Sequence, residues 1–545
     1  MKNLFIIVFY IIYCSGVLAQ PYGDSIIFRA MKDELDRTVR HYTSPEYKDK
    51  PVYVRFMLFD KEKIVITASK GVLMEPAVKT HGRWGVPIIF FSDSFLNEQK
   101  IPYPAEIISL DDNYNNIRQG FWRLTERTYK DIYNEYLSDK KEQTANQLTE
   151  KKGNLLYRIP SVRANYIGIP DIIDFNITEW EKQVVSLSEE FDKYKYIKGN
   201  NIEIAYLKTL YYHVSNDSSM LKIPYNLISV KISAEVYDIT ENKHEAGLQF
   251  FTKNDMSRLS VDMIKKEIND MCVHLKDITN APIMDKSYEG PVLIEDEAVI
   301  SLFSNQLSSN HLIDSPLVAN TGMYRRESKL GTHVCDNKLS ISSYSNINEY
   351  KGTKVLGKHS IDYNGVTPKN NMQIIKNGIL LNPFVVGLYT TDVNLTSTGH
   401  TLSFVQDYAQ LKYTAIDDLY PGLIHITSSK TVSYKALKQK LLKSAKNKGS
   451  DYAYIIRKIH PATVYKVDVK TGNEELISPP NLQYLFEKTG NLSQIVYDAI
   501  SKEEYISDTG LYTNPESAIS IIAPKAFLID NVKLTPNSES NKKLF

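Results

Sequence analysis

Residues 304–311 read SNQLSSNH and bring three serine hydroxyls and one imidazole to the end of a segment that runs from strand to helix. Ahead of them Gly290-Pro291 breaks the chain, and Val292 to Ile294 are expected as a short buried strand. Asp296 is placed to cap a helix with Ala298, Leu302, Phe303 and Leu307 on its apolar side. The side chains delivered after that are Ser304, Asn305, Ser308 and Ser309. A serine hydroxyl is a poor ligand for a divalent metal, and an amide takes no proton from a water, so the set does not supply metal-assisted hydrolysis. As nucleophiles the serines would need a distant base, and no Gly-x-Ser-x-Gly elbow surrounds them.

Other residues with metal chemistry are few. His311, His333 and Cys335 could gather into a site of a different kind. The spacing of His333 and Cys335 would place both on one face of an extended strand. The plainer reading is a histidine at a strand edge and a packed thiol. The chain's His-Glu pair, His244-Glu245, falls in the charged stretch TENKHEAG, which reads as an exposed turn with no second histidine four or five residues on. Asp362 in IDYNG reads as a turn cap, because a short carboxylate can accept from the backbone N–H groups that follow it. Neither a glycine-rich phosphate loop nor an EF-hand loop occurs.

The chain that must position these residues has 545 of them and a net charge of +1, which gives no argument for nucleic acid as a partner. Its 37 tyrosines leave an aromatic glycan-binding surface open as an alternative. Leu4 to Tyr13 are apolar, and Val17-Leu18-Ala19 are small enough for a signal peptidase, so residues 1–19 are read as a secretory signal cleaved before Gln20. Export to a periplasmic or extracellular compartment is the expectation, with no transmembrane segment after cleavage. Cys14 leaves with the signal. Cys272 shares a helical stripe with Ile264, Ile268 and Leu275 and is expected as a buried free thiol.

The elements read as follows. Phe28, Met31, Leu35 and Val39 mark an opening amphipathic helix. Val52 to Phe59 and Lys63 to Ser69 are expected as two strands around a charged turn, Asp60-Lys61-Glu62. Residues 122–152 are helical and charged. Thr178 and Glu181 form a capping box for a helix carrying Trp180, Val184, Leu187, Phe191 and Tyr194. Ile228, Val230, Ile232, Ala234 and Val236 alternate as in a strand with one buried face. A helix over about 255–276 follows, and short strands dominate beyond Gly290, interrupted by the basic helix YKALKQKLLKSAKNKG. The fold class is α+β, with an N-terminal α/β region over 20–175, a central sheet-and-helix unit over 176–285 and a mainly β domain over 286–545.

Three patterns in order carry a family resemblance. They are YEGPVLIEDEAVISLF leading into a helix, then GKHSIDYNGVTPKNNMQIIKNGIL, then NLSQIVYDAI followed by AISIIAPKAFLIDNVKL. The second is read as a strand to Ile361-Asp362, a turn through Gly365, and a strand ending in Asn377-Gly378-Ile379-Leu380; the third as a helix and two closing strands. Together they resemble the TldD/PmbA family, also called modulators of DNA gyrase, which comprises the TldD and TldE subunits. The resemblance implies a zinc-bearing subunit paired with a similar, metal-free one, the two enclosing a cavity for unfolded peptide.

In the zinc-bearing subunits the helix after GPVL carries His-Glu-x-x-x-His, and a cysteine near the C-terminus is the third ligand. Aligned on that motif, Ser304 and Asn305 stand in the place of His-Glu and Ser309 in that of the second histidine, while no cysteine follows Cys335. The resemblance therefore implies a TldE-like, non-catalytic chain without a cofactor, zinc entering only if this placement is wrong. It implies a homodimer, or a heterodimer with a zinc-bearing TldD-like subunit. A self-sufficient peptidase with another metal site or nucleophile is the alternative.

Overall fold

The computed structural model describes residues 22–91, 103–145, 156–157, 163–171, 173–237, 243–309, 330–385, 389–390, 396–408, 412–459, 462–480, 482, 495–510 and 516–536. They form an α+β fold around three large sheets. No helix among them is long and apolar enough to cross a membrane, which leaves β-barrels unaddressed.

Strand Tyr53–Ser69 lies at the centre of the first sheet, between Val78–Phe90 and Gly199–Ser215. Its first eight residues are all buried, because both faces of the sheet are covered there. Phe56 and Leu58 pack against Phe28, Met31 and Leu35 of the Tyr22–Tyr42 helix and Phe121 of the Tyr114–Ala145 helix. Met57 and Phe59 face the core shared with the second half of the chain. The expected turn at Asp60-Lys61-Glu62 is absent, and the ladder runs through it, Asp60 opposite Arg83 and Leu210. Charge is tolerated there because Arg83 Nε donates to the Asp60 carboxylate at 3.0 Å from the next strand.

Farther along the same sheet, Ile66, Ile202, Ile204 and the alternating set Ile228 to Val236 carry two helices, Ile177–Glu189 and Val261–Asn280. The first of these is capped two residues earlier than the sequence suggests. Asn176 Oδ1 accepts from Glu179 N at 3.1 Å, and Glu181 reaches Ala77 N of a neighbouring segment instead of closing a capping box. His244-Glu245 lie in strand Lys243–Thr252, opposite Val236 and Glu235, so the expected turn is a ladder there also. Two strands from later in the chain, Thr401–Tyr408 and Lys412–Leu419, extend the opposite edge through Tyr103–Ile107.

The second sheet orders Glu474–Ile477, Ala462–Asp468, Tyr452–Ile459, Tyr288–Glu295, Ala526–Leu534 and Tyr497–Ile500. The third orders Ile379–Leu380, Asn371–Lys376, Leu339–Tyr344, Leu423–Ser428, Ala518–Pro524 and Glu504–Gly510. The basic helix Tyr434–Asn447 covers one face of the second sheet, with Leu437, Leu441 and Ala445 against Leu293 and Ile455. Gly449 follows it at φ +75°, as a helix C-terminus favours. Tyr497–Ile500 is a strand where the pattern had suggested the end of a helix. Ile361-Asp362 lie in a turn and not in a strand, and Asn377 and Gly378, both at positive φ, form the tight turn between two strands of the third sheet.

Candidate functional site

Strand Tyr288–Glu295 is buried along nearly its whole length, and Gly290-Pro291 produce a register shift inside it instead of ending the chain's pairing. Asp296 then turns at φ +55°, its N–H donating to the Lys525 carbonyl at 2.9 Å, and its own carbonyl accepts from Val299 and Ile300 as helix Glu297–Ser309 begins. Ala298, Leu302 and Phe303 are buried between the second and third sheets, where Phe303 meets the Phe527 ring at 5.6 Å. The strand–helix unit is thus fixed along its strand, at the Asp296 turn and along the apolar side of the first helical turns. A Glu295–Arg457 hydrogen bond of 2.5 Å clamps the junction.

Ser304 is half-buried on this helix. The helix backbone continues through Asn305 and Ser309, whose side chains lie outside the described residues, as does all of His311. His333 is exposed and bridges to Ile379, whereas Cys335 is buried. The expectation that the two share one face fails, because Val334 and Cys335 both donate to the Gly378 carbonyl in a turn and no strand forms there. Burial pushes the Cys335 thiol up to about 12, with Asp336 adding to it, and burial alone brings Cys272 to about 12. Both are free thiols. Among the described residues no three His, Cys, Asp or Glu side chains gather as a metal would require.

A separate cleft of about 610 Å³ opens between residues 223–226 and 252–258 on one side and residues 354–363 on the other. Gly357 lets the second segment pass close to the third sheet: it sits at φ +118°, and a Cβ there would come within 2.4 Å of Leu423 N. Asp362, 2 % exposed, accepts from Asn364 N at 2.9 Å, Val366 N at 2.8 Å and Thr401 N at 3.2 Å, which fulfils the turn-cap reading. Burial nevertheless outweighs these donors and raises its carboxyl to about 6. His359 holds the cleft to a neighbouring loop, with Nδ1 2.9 Å from the Gly357 carbonyl oxygen and Nε2 2.9 Å from that of Gly399. A neutral ring donates through one nitrogen only, yet burial favours the neutral form here over the pull of the two carbonyls.

The sequence gives no signal for this cleft. Lys253, Tyr225, His359 and Tyr420 come from segments far apart in the chain, and each residue type is ordinary on its own.

No protein-family model matches the chain, and no curated protein matches it in sequence. Solved structures do match in shape. A Thermotoga maritima protein that bears the name modulator of DNA gyrase has a TM-score of 0.55 at 12% identity, over 92% of this chain and 100% of its own. TldE from Thermococcus kodakarensis has 0.54 at 12% identity, over 93% of this chain and 100% of its own. A Bacteroides thetaiotaomicron protein, also bearing the gyrase-modulator name, has 0.54 at 11% identity, over 93% and 98%. The chain has the fold of the TldD/TldE/PmbA proteins.

Proposed function

We propose that this chain is an exported, TldE-like subunit without its own zinc, and that it serves proteolysis by pairing with a zinc-bearing homologue and presenting unfolded peptide to it. The observation that carries this reading is the strand–helix unit Tyr288–Ser309, which has the buried strand and apolar helix face of a rigid ligand platform but carries Ser304, Asn305 and Ser309 along the helix. Those side chains offer neither neutral imidazole nor carboxylate to a metal-bound water. The shared fold with TldE supports the reading. Export rests on the apolar run Leu4 to Tyr13 and the small residues before Gln20. A homodimer would serve peptide binding by the same surfaces.

Elemental mass spectrometry of the mature protein, purified without chelator, tests the proposal. Trace metal alone is expected, together with a rise in peptide hydrolysis when a zinc-bearing homologue is added. Stoichiometric zinc, iron or manganese that survives dialysis would overturn it in favour of a self-sufficient peptidase. His311, His333 and Cys335 would then be the first residues to replace.

A further inference from the structure

The cleft beside Asp362 shares no lining residue with the Glu297–Ser309 helix, and its charges are unevenly spent. Its carboxylates are committed within the protein. Asp362 takes three backbone N–H groups, Asp255 accepts from Ser257 N at 3.1 Å and Ser257 Oγ at 2.5 Å, and Asp171 accepts from Asn254 Nδ2 at 3.2 Å. Two of the cations are committed as well, Arg258 to Asp508 and Lys354 to Glu349 at 2.7 Å.

Lys253 and Lys358 are not. Lys253 Nζ lies 5.1 Å from the ring centroids of both Tyr225 and Tyr420 and 3.4 Å from the Lys358 carbonyl oxygen, and neither lysine pairs with a carboxylate among the described residues. An ammonium between two aromatic faces has already lost part of its water, so a carboxylate arriving there costs less in desolvation and gains more in attraction than at an open surface. Ile223, Leu356 and Ile361 give the same cleft apolar wall beside its polar residues. Asn226, 6 % exposed, lines the same cleft and has an Oδ1 without a partner among the described residues. The volume of about 610 Å³ falls within the range of roughly 300–1,000 Å³ typical of small-molecule sites.

We propose that this cleft binds an organic acid with an apolar body, its carboxylate between Lys253 and Lys358 and its apolar part against Tyr225, Leu356 and Ile361. The C-terminus of a short peptide and a free apolar acid share this chemistry. The orphan amide oxygen of Asn226 favours the peptide, which carries an N–H beside its carboxylate. The site does not depend on whether the chain holds zinc.

Calorimetric titration of the full-length mature protein with three probes tests it: the tripeptide Gly-Phe-Leu, the same peptide with a C-terminal amide, and 4-phenylbutyrate. One site per chain is expected for Gly-Phe-Leu. Binding should weaken on the order of tenfold for the amide and by a similar factor in Lys253→Met, the worth of one charge-assisted hydrogen bond. Lys440→Met, on the exposed face of the basic helix, should bind as the parent does. Lys358→Met provides a second variant should Lys253→Met misfold, judged by its thermal midpoint. Binding of phenylbutyrate without the peptide would identify a free acid as the source and uphold the site. Equal affinity for acid and amide, no loss in either lysine variant, or no binding of either acid would overturn it.

Discussion

The Glu295 carboxylate, 1 % exposed, accepts a 2.5 Å hydrogen bond from Arg457 Nε, and the same guanidinium reaches Glu474 at 2.7 Å through Nη2. Tyr434 Oη donates to the other Glu295 oxygen at 2.5 Å. The contact joins the last residue of the Tyr288–Glu295 strand to its parallel neighbour just where the chain turns into the Glu297–Ser309 helix. Glu295 is a charge that the fold can bury only with these partners in place.

Arg457→Met should therefore destabilise the protein by about 3 kcal/mol, the cost of stranding a buried carboxylate. Arg457→Lys should lose less, since it keeps the charge but not the fork. The double variant Glu295→Leu/Arg457→Met should recover most of the loss, because the pair's attraction largely repays desolvation and adds little net stability. Urea unfolding of the three proteins measures this, and a double variant no more stable than Arg457→Met would refute the account.

Phe303 anchors the helix that follows. It is fully buried between two sheets and packs on Phe527. Phe303→Ala should cost about 3–5 kcal/mol, and Phe303→Leu distinctly less, because the cavity left by leucine is smaller. If helix Glu297–Ser309 were a loosely held lid, the alanine variant would unfold at nearly the urea concentration of the parent.

What the sequence revealed follows from how local the physics is. The helix faces of Phe28, Met31 and Leu35 and the alternating set Ile228 to Val236 were legible because one side of each element is buried and the other wet. Asp60 misled because charge in a run of residues normally marks a turn, and its partner Arg83 lies on another strand. The Thr178 capping box misled because Asn176 caps more directly and Glu181 has a tertiary partner. Tyr497–Ile500 is a strand because the second sheet needs a neighbour for Ala526–Leu534, a demand that no local pattern expresses. The strand–helix unit of the candidate site was visible as two periodicities in succession, but the cleft was not, being assembled entirely by tertiary contact.

Asp362 gives a first prediction in pH. Its folded carboxyl is raised to about 6, above its ordinary 3.8, chiefly by burial. The folded state therefore holds this proton more tightly than the unfolded chain, and the stability it contributes is full below about pH 4 and lost as pH rises through 6. The loss is on the order of 3 kcal/mol relative to Asp362→Asn, whose amide does not titrate. Chemical denaturation of both proteins at pH 4 and pH 7 should show the parent falling against the variant. A constant difference would mean that the three N–H donors outweigh burial.

His400 acts with the opposite sign over the same range. Burial, then the nearby His359 ring, lowers its folded value to about 3, and the Thr398 carbonyl pulls the other way. The ring is neutral in the native protein, 4.6 Å from Phe384, whereas the unfolded chain takes up a proton below its ordinary 6.5. Its contribution is present above pH 6.5 and drains away as pH falls toward 3, to a total on the order of 4–5 kcal/mol. Between pH 6 and 4 this loss opposes the gain at Asp362, so the parent's stability should change little there and fall steeply only below pH 4 from these two groups. His400→Gln should remove this group's share of the acid-side loss, so the difference between variant and parent should grow in the variant's favour as pH drops from 7 to 4, while buried His213 and His359, whose values burial also lowers, act alike in both proteins. Denaturation midpoints of the variant that fall with acid as steeply as the parent's would show that the acid sensitivity arises elsewhere.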